Sequence, residues 1–215
     1  MIKIAPSILS ADILNFKNEI IKAEKAGAEY FHIDIMDGHY VPNISFGPNI
    51  VKCVRKITKK TLDVHLMISP VQKYIKEFVA SGANIISFHP EADPNPKKVL
   101  KLIKRFKCKS GIALHPKIPV KKIYKYLKYV DIVIVMTVVP GFGGQKFMYN
   151  QVNKIIELNY IKKKKNLNFQ IEVDGGINKK TATICRDNGA NILVAGSYIF
   201  NQSKQSYKKL INSLR

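Results

Sequence analysis

Two histidines and two aspartates carry the chemistry most readily read from this chain: His32, Asp34, His65 and Asp174. Each stands at the end of a short apolar run, in AEYFHIDIM, TLDVHLM and NFQIEVDGG. Two imidazoles and two carboxylates suit a divalent metal of intermediate ligand preference. The carboxylates can also move protons while helping to hold such an ion. His32 and Asp34 are two apart on one strand, so they share a face, and Ile33 and Ile35 take the other. Any one of the four alone reads as a satisfied interior polar residue. Four at matching strand ends read as a site, because interior charge is rare without pairing or function. His89, in SFHPE, also ends a strand and is expected to be a loop-facing, hydrogen-bonding histidine, with a fifth ligand as the alternative.

The elements that must position these residues alternate. Strands are expected over KIAPSIL (residues 3–9), EYFHIDIM, TLDVHLM, NIISFH, CKSGIALH, DIVIVM, NFQIEVD and NILVAG. Between them lie amphipathic segments with helix signals. Asp12 offers an N-cap to ILNFKNEIIKAEKAG, which stops at Gly27, and NIVKCVRKI follows the second strand. Pro70 opens VQKYIKEFVASG, which stops at Gly82, and KKVLKLIKRF follows strand four. Pro119 starts a fifth helix, Met148 to Lys163 forms a sixth, Asn178 opens another, and the last covers Lys204 to Leu214. Eight such strand–helix units predict an α/β fold, a (β/α)8 TIM barrel forming a single catalytic domain over residues 1–215. An open doubly wound sheet is second choice, since no G-x-G-x-x-G follows the first strand. The long connections follow strands two and six, on the face where a barrel carries its binding loops.

Glycine clusters sit at three late strand ends: Gly141-Phe142-Gly143-Gly144 after Pro140, Gly175-Gly176, and Gly196-Ser197. Backbone without side chains lets amides approach a dianion, and the loops after strands seven and eight are the usual phosphate site of this fold. Ser7, ending strand one, is either a contact to a ligand hydroxyl or a plain loop serine.

Net charge is +21, from 36 basic and 15 acidic residues. Only Arg55, Arg105, Arg186 and Arg215 are arginines, the type suited to bidentate phosphate and base contacts. The lysines fall on the water-facing sides of helices, so a solvated surface is expected and no nucleic-acid partner. No run approaches the roughly 20 apolar residues of a membrane span, and MIKIAPSILSAD has no leader character, so a cytoplasmic location and no membrane contact are expected. Cys53, Cys108 and Cys185 have no ligand-like spacing and are expected to be buried or half-buried thiols.

The run HIDIMDGHYVPNISFGP, the segments DVHLMI and ISFHPEA, the loop VPGFGGQKF and the ends VDGGI and VAGSYIF closely resemble the ribulose-phosphate 3-epimerase family, in order from residue 5 almost to the C-terminus. The resemblance implies a barrel that interconverts D-ribulose 5-phosphate and D-xylulose 5-phosphate in the pentose phosphate pathway. It implies one divalent ion (zinc, Fe(II), manganese or cobalt, with zinc favoured) on His32, Asp34, His65 and Asp174, and Asp34 and Asp174 as the acid–base pair. It further implies substrate contacts at Ser7, His65, Gly141, Phe142, Gly143, Gly144, Gly175, Gly176, Gly196 and Ser197, a cavity lined by Met36, Met67 and Met136, a mobile lid after strand six, and a homo-oligomer. Two positions depart from the family pattern: Thr137-Val138-Val139 stands where Ser-Val-Asn is common, and Leu114-His115-Pro116 where Leu-Asn-Pro is common. A related substrate, D-allulose 6-phosphate, is the alternative. A keto-sugar phosphate decarboxylase is disfavoured because Asp34-Ile35-Met36 lacks the Asp-x-Lys of such enzymes.

Overall fold

Alternation along three strands decides which side chains enter the barrel. In the second strand Phe31, Ile33 and Ile35 join the large apolar cluster beneath the helices, while His32 and Asp34 turn inward. The third strand repeats the pattern, with Leu62, Val64 and Leu66 outside and Asp63 and His65 inside. In the seventh, Ile171 and Val173 pack outward and Glu172 and Asp174 inward. Burying one Val, Leu or Ile is worth about 1.5–3 kcal/mol, so the outward set holds the helices on and frees the inward set for other duties.

The structure, a computed structural model, describes residues 2–202 and 205–215. Strands β1 (Lys3–Pro6), β2 (Tyr30–Met36), β3 (Thr61–Met67), β4 (Ile85–Phe88), β5 (Lys109–Leu114), β6 (Ile132–Met136), β7 (Gln170–Asp174) and β8 (Ile192–Ala195) form one sheet in the order β1-β8-β7-β6-β5-β4-β3-β2. The pairings are parallel, as the intervening helices require. The two ends of the ladder meet at β1 and β2. There Ser7 and His32 form an isolated bridge, the Glu29 amide donates to the Ile4 carbonyl at 3.2 Å, and the Ile4 amide donates to the Glu29 carboxylate at 2.9 Å. The barrel is nearly closed, and this seam is its thinnest part. Inside, Ala5, Ile85, Ala113, Ile132, Ile134, Ile192 and Val194 fill the interior.

The helices are α1 (Phe16–Lys25), α2 (Pro48–Ile57), α3 (Ile75–Ala80), α4 (Pro96–Arg105), α5 (Val152–Lys164), α6 (Lys179–Asp187), α7 (Ser197–Phe200) and α8 (Tyr207–Ser213). Asp12 caps as expected, accepting from the Leu14 amide at 3.0 Å on a 3₁₀ turn that leads into α1. Asn178 caps α6 in a full capping box with Thr181. Several expectations need correction. Pro70 lies ahead of its helix, after a cis Ser69–Pro70 bond, and winding begins at Gln72. The segment after Pro119, Val120–Tyr129, winds as a 3₁₀ helix. The short α7 was not foreseen, and the last helix begins at Tyr207, its expected start at Lys204 lying outside the described residues. Cys108 and Cys185 are buried, but Cys53 is exposed. Among the described residues no helix is long and apolar enough to cross a membrane.

Candidate active site and metal centre

The register that pairs β2 with β3 sets Asp34 directly beside His65, and His32 beside Asp63. Asp34 Oδ1 lies 3.2 Å from His32 Nε2 and 3.4 Å from His65 Nδ1. Asp174 Oδ2, arriving from β7, lies 3.8 Å from His32 Nε2 and 3.9 Å from His65 Nδ1. One donor atom from each of the four falls within 4.8 Å of the others. His32 and His65 are fully buried, yet His32 Nε2 and His65 Nδ1 have no hydrogen-bond partner among the described residues. Such orphaned atoms are costly in a closed interior. Ligand atoms at about 2.0–2.2 Å from a tetrahedral ion stand a little over 3 Å apart, close to the shorter separations here. The four residues therefore fit a divalent metal. The fold thus brings together the four side chains that the sequence singles out.

Beneath them lies a layer that the sequence reading missed. Asp63 Oδ2 accepts from His32 Nδ1 at 2.7 Å, and Glu172 Oε1 lies 3.1 Å from the same nitrogen. This holds one His32 proton on Nδ1 and leaves Nε2 as the nitrogen a metal would take once its own proton is displaced, the usual carboxylate–histidine arrangement behind a metal. The available signal was spacing: Asp63 precedes His65 by two, and Glu172 precedes Asp174 by two, so each pair shares a face. His89 is also placed differently from expectation. It is fully buried rather than loop-facing, stacks on Tyr40 at 4.8 Å, and meets His65 Nε2 through its own Nε2 at 3.1 Å. It lies outside the four-residue cluster and supports His65 from behind.

The charges are arranged unevenly. Burial alone would lower the His32 pKa, but the charges of Asp34 and Asp63 outweigh it and hold it well above the ordinary value. Burial pushes Asp34 upward, yet the His32 and His65 rings hold it below the usual carboxylate range. Asp174 is pushed up to about 6, by burial first and by the Asp34 charge second. A divalent ion needs neutral imidazoles and ionised carboxylates, so its binding displaces protons from His32 and Asp174. Affinity is therefore expected to rise with pH. As pH falls below about 6 it should drop roughly tenfold per pH unit for each competing proton. Chelator competition at about pH 5.5 and about pH 7.5 measures this, and equal affinities at the two would contradict the assignment.

Above the cluster opens a cavity of about 550 Å³ including its mouth. Asp34 and Asp174 form its floor with Met36, Met67 and Met136, and its far wall is built from residues 140–145, Gly175, Gly176, Gly196 and Ser197. Ser7 also lines it, and its hydroxyl donates to Asp34 Oδ2 at 2.7 Å. The loop over the cavity is pinned at its base, where Thr137 Oγ1 donates to the carbonyls of Asp174 and Gly175 at 2.9 and 2.6 Å. Asn43, on the loop after β2, donates to the Gly141 carbonyl at 2.7 Å and ties the two long loops together. Gly176 has φ +64°, and a Cβ there would come within 2.6 Å of the Phe147 amide nitrogen, so close backbone packing is an additional reason for glycine. Neither Val139 nor His115, the two departures from the family pattern, lines the cavity.

Fold and site together define a barrel whose strand ends carry a histidine–aspartate cluster suited to a divalent metal. The profile of the Ribulose-phosphate 3 epimerase family matches residues 3–200. Ribulose-phosphate 3-epimerase of Bacillus subtilis is 50% identical, over 100% of this chain and 99% of the relative. The enzymes of that name from Rhodobacter capsulatus and Escherichia coli are 43% and 40% identical, over 100% and 99% of this chain and 94% of each relative. The chain belongs to the ribulose-phosphate 3-epimerase family. Among solved structures, KGPDC from Streptococcus mutans and a mutant tryptophan synthase alpha-subunit from Pyrococcus furiosus each superpose with a TM-score of 0.71 at 14% identity. Each alignment covers 100% of this chain, with 95% and 98% of the respective neighbours, and shows a common barrel fold.

Proposed function

We propose that the chain, with residues 1–215 acting as one catalytic unit, interconverts D-ribulose 5-phosphate and D-xylulose 5-phosphate by moving a proton at C3 through a 2,3-enediolate. One observation carries the reading: Asp34 and Asp174 project into one cavity from the ends of β2 and β7. Inverting a carbon requires proton removal on one face and return on the other. One aspartate takes the proton as base while the other returns one to the opposite face as acid, and the roles exchange in the reverse direction. Ser7 holds Asp34 by its second oxygen and so fixes the direction of the first. Ser7 faces the sugar, His65 lies buried behind the cavity wall against Asp34 rather than in direct reach of the sugar, and the Met36, Met67 and Met136 side chains give the planar intermediate an apolar floor. Residues Gly141, Phe142, Gly143, Gly144, Gly175, Gly176, Gly196 and Ser197 cradle the phosphate and orient C3, and the loop after β6 limits entry of water.

A divalent ion held by His32, Asp34, His65 and Asp174 supplies Lewis-acid stabilisation of the charge that develops on the substrate oxygens. Two imidazole nitrogens and two carboxylate oxygens favour zinc, ahead of Fe(II), manganese and cobalt. We place the enzyme in the cytoplasm as a homo-oligomer. The test is an assay of the purified protein with D-ribulose 5-phosphate against D-allulose 6-phosphate in deuterated water, with metal analysis of the same sample. Faster turnover of the pentulose, with label at C3 of the product, is expected. Faster turnover of the hexulose reassigns the substrate, and unlabelled product removes proton transfer.

A further inference from the structure

The chain carries 36 lysines and arginines, yet among the described residues not one of them lines the cavity. Its charged side chains are the carboxylates of Asp34 and Asp174. A phosphate there is therefore held by neutral donors, which are backbone amides and hydroxyls. The arrangement has a chemical reason. Amides and hydroxyls bind the dianion without pairing with the carboxylates of Asp34 and Asp174. The surface charge still attracts an anion at long range. With no cation at the cradle, each neutral donor matters more, because hydrogen bonds to charged groups are the strong ones.

Among these donors is Ser10, on the 3₁₀ turn Ile8–Ser10 that follows β1. Its hydroxyl lies 2.6 Å from where a Cβ on Gly196 would stand and 3.5 Å from the corresponding point on Gly143. It thus sits between the glycines of two separate strand ends, on the cavity wall. Its amide is engaged with the Ser7 carbonyl at 3.3 Å, while its side chain makes no hydrogen bond to the described residues. We infer that Ser10 is a phosphate contact, its hydroxyl donating to a non-bridging oxygen of the substrate's phosphate alongside the amides of the glycine clusters. Gly196 is then glycine because any side chain would occupy the space that this hydroxyl needs. The inference rests on the ketose-phosphate reading above and adds one side chain to its anion subsite.

Ser10→Ala removes one oxygen and keeps the packing volume of a small side chain, so it separates donation from fit. In the metal-loaded enzyme it is expected to raise KM for D-ribulose 5-phosphate by about tenfold or more, while kcat stays within about threefold. Calorimetric titration with inorganic phosphate should show a loss of the same order. Values within about twofold of wild type in both measurements overturn the assignment, as does a fall in kcat with KM unchanged. If the wild-type protein does not turn over D-ribulose 5-phosphate, the functional reading fails. The phosphate titration then still decides whether Ser10 holds the anion.

Discussion

Asp34→Asn and Asp174→Asn are each expected to lower epimerisation by about 10²–10⁴-fold, the usual worth of a positioned acid or base. Both substitutions keep the shape of the side chain, and in Asp34→Asn the new amide could still accept from Ser7 through its remaining oxygen. What disappears is the ability to take a proton. The two-base scheme makes a finer forecast. A variant with one working carboxylate still removes the C3 proton from one epimer and returns a solvent deuteron to the same face. It therefore labels its starting material without inverting it, and the two variants label opposite epimers. Each aspartate is also a proposed ligand, so metal content must be measured alongside to separate loss of base from loss of ion. Near wild-type turnover by either variant would remove the scheme.

Chelation is expected to cost activity on the order of 10²–10³-fold, as the loss of a main electrostatic stabiliser does. The same treatment should lower the melting temperature. An ion present at about 100 times its Kd stabilises the folded state by about 2.7 kcal/mol, which for a chain of this size corresponds to roughly 5–10 °C. The buried and unpartnered His32 Nε2 and His65 Nδ1 are the structural source of that loss. Adding back single divalent ions, with activity and melting temperature read together, ranks the candidate metals. Full activity in protein stripped of metal would refute the centre.

The residues that form the cluster were legible because each sits in a strand whose outward positions are uniformly apolar, so polar inward positions stand out. The barrel was legible for the same reason, since eight short apolar runs separated by amphipathic stretches leave few other arrangements. Asp63 and Glu172 escaped notice: they share those inward faces but lie two residues before His65 and Asp174, so spacing alone does not say what they touch. Register sets Asp63 beside His32, and Glu172 reaches the same nitrogen from β7 across the barrel. The 3₁₀ winding of Val120–Tyr129 escaped too. Its buried residues, Val120, Ile123 and Leu127, follow spacings of three and four that an α-helix would also use. The four-residue α7 makes barely one turn, too short for a periodic pattern to repeat. His89 was misplaced because a strand-end histidine before proline looks like a loop residue until its ring partners are known.

The seam between β1 and β2 has a consequence for how the enzyme comes into being. The contacts that draw the first strand to the second include the Ser7–His32 bridge and the Ser7–Asp34 hydrogen bond, so these three residues that complete the cylinder also belong to the proposed reactive centre. Maturation and competence thus share a single checkpoint. A chain whose first strand has not yet docked lacks both a finished wall and an aligned base, and offers substrate no half-assembled site.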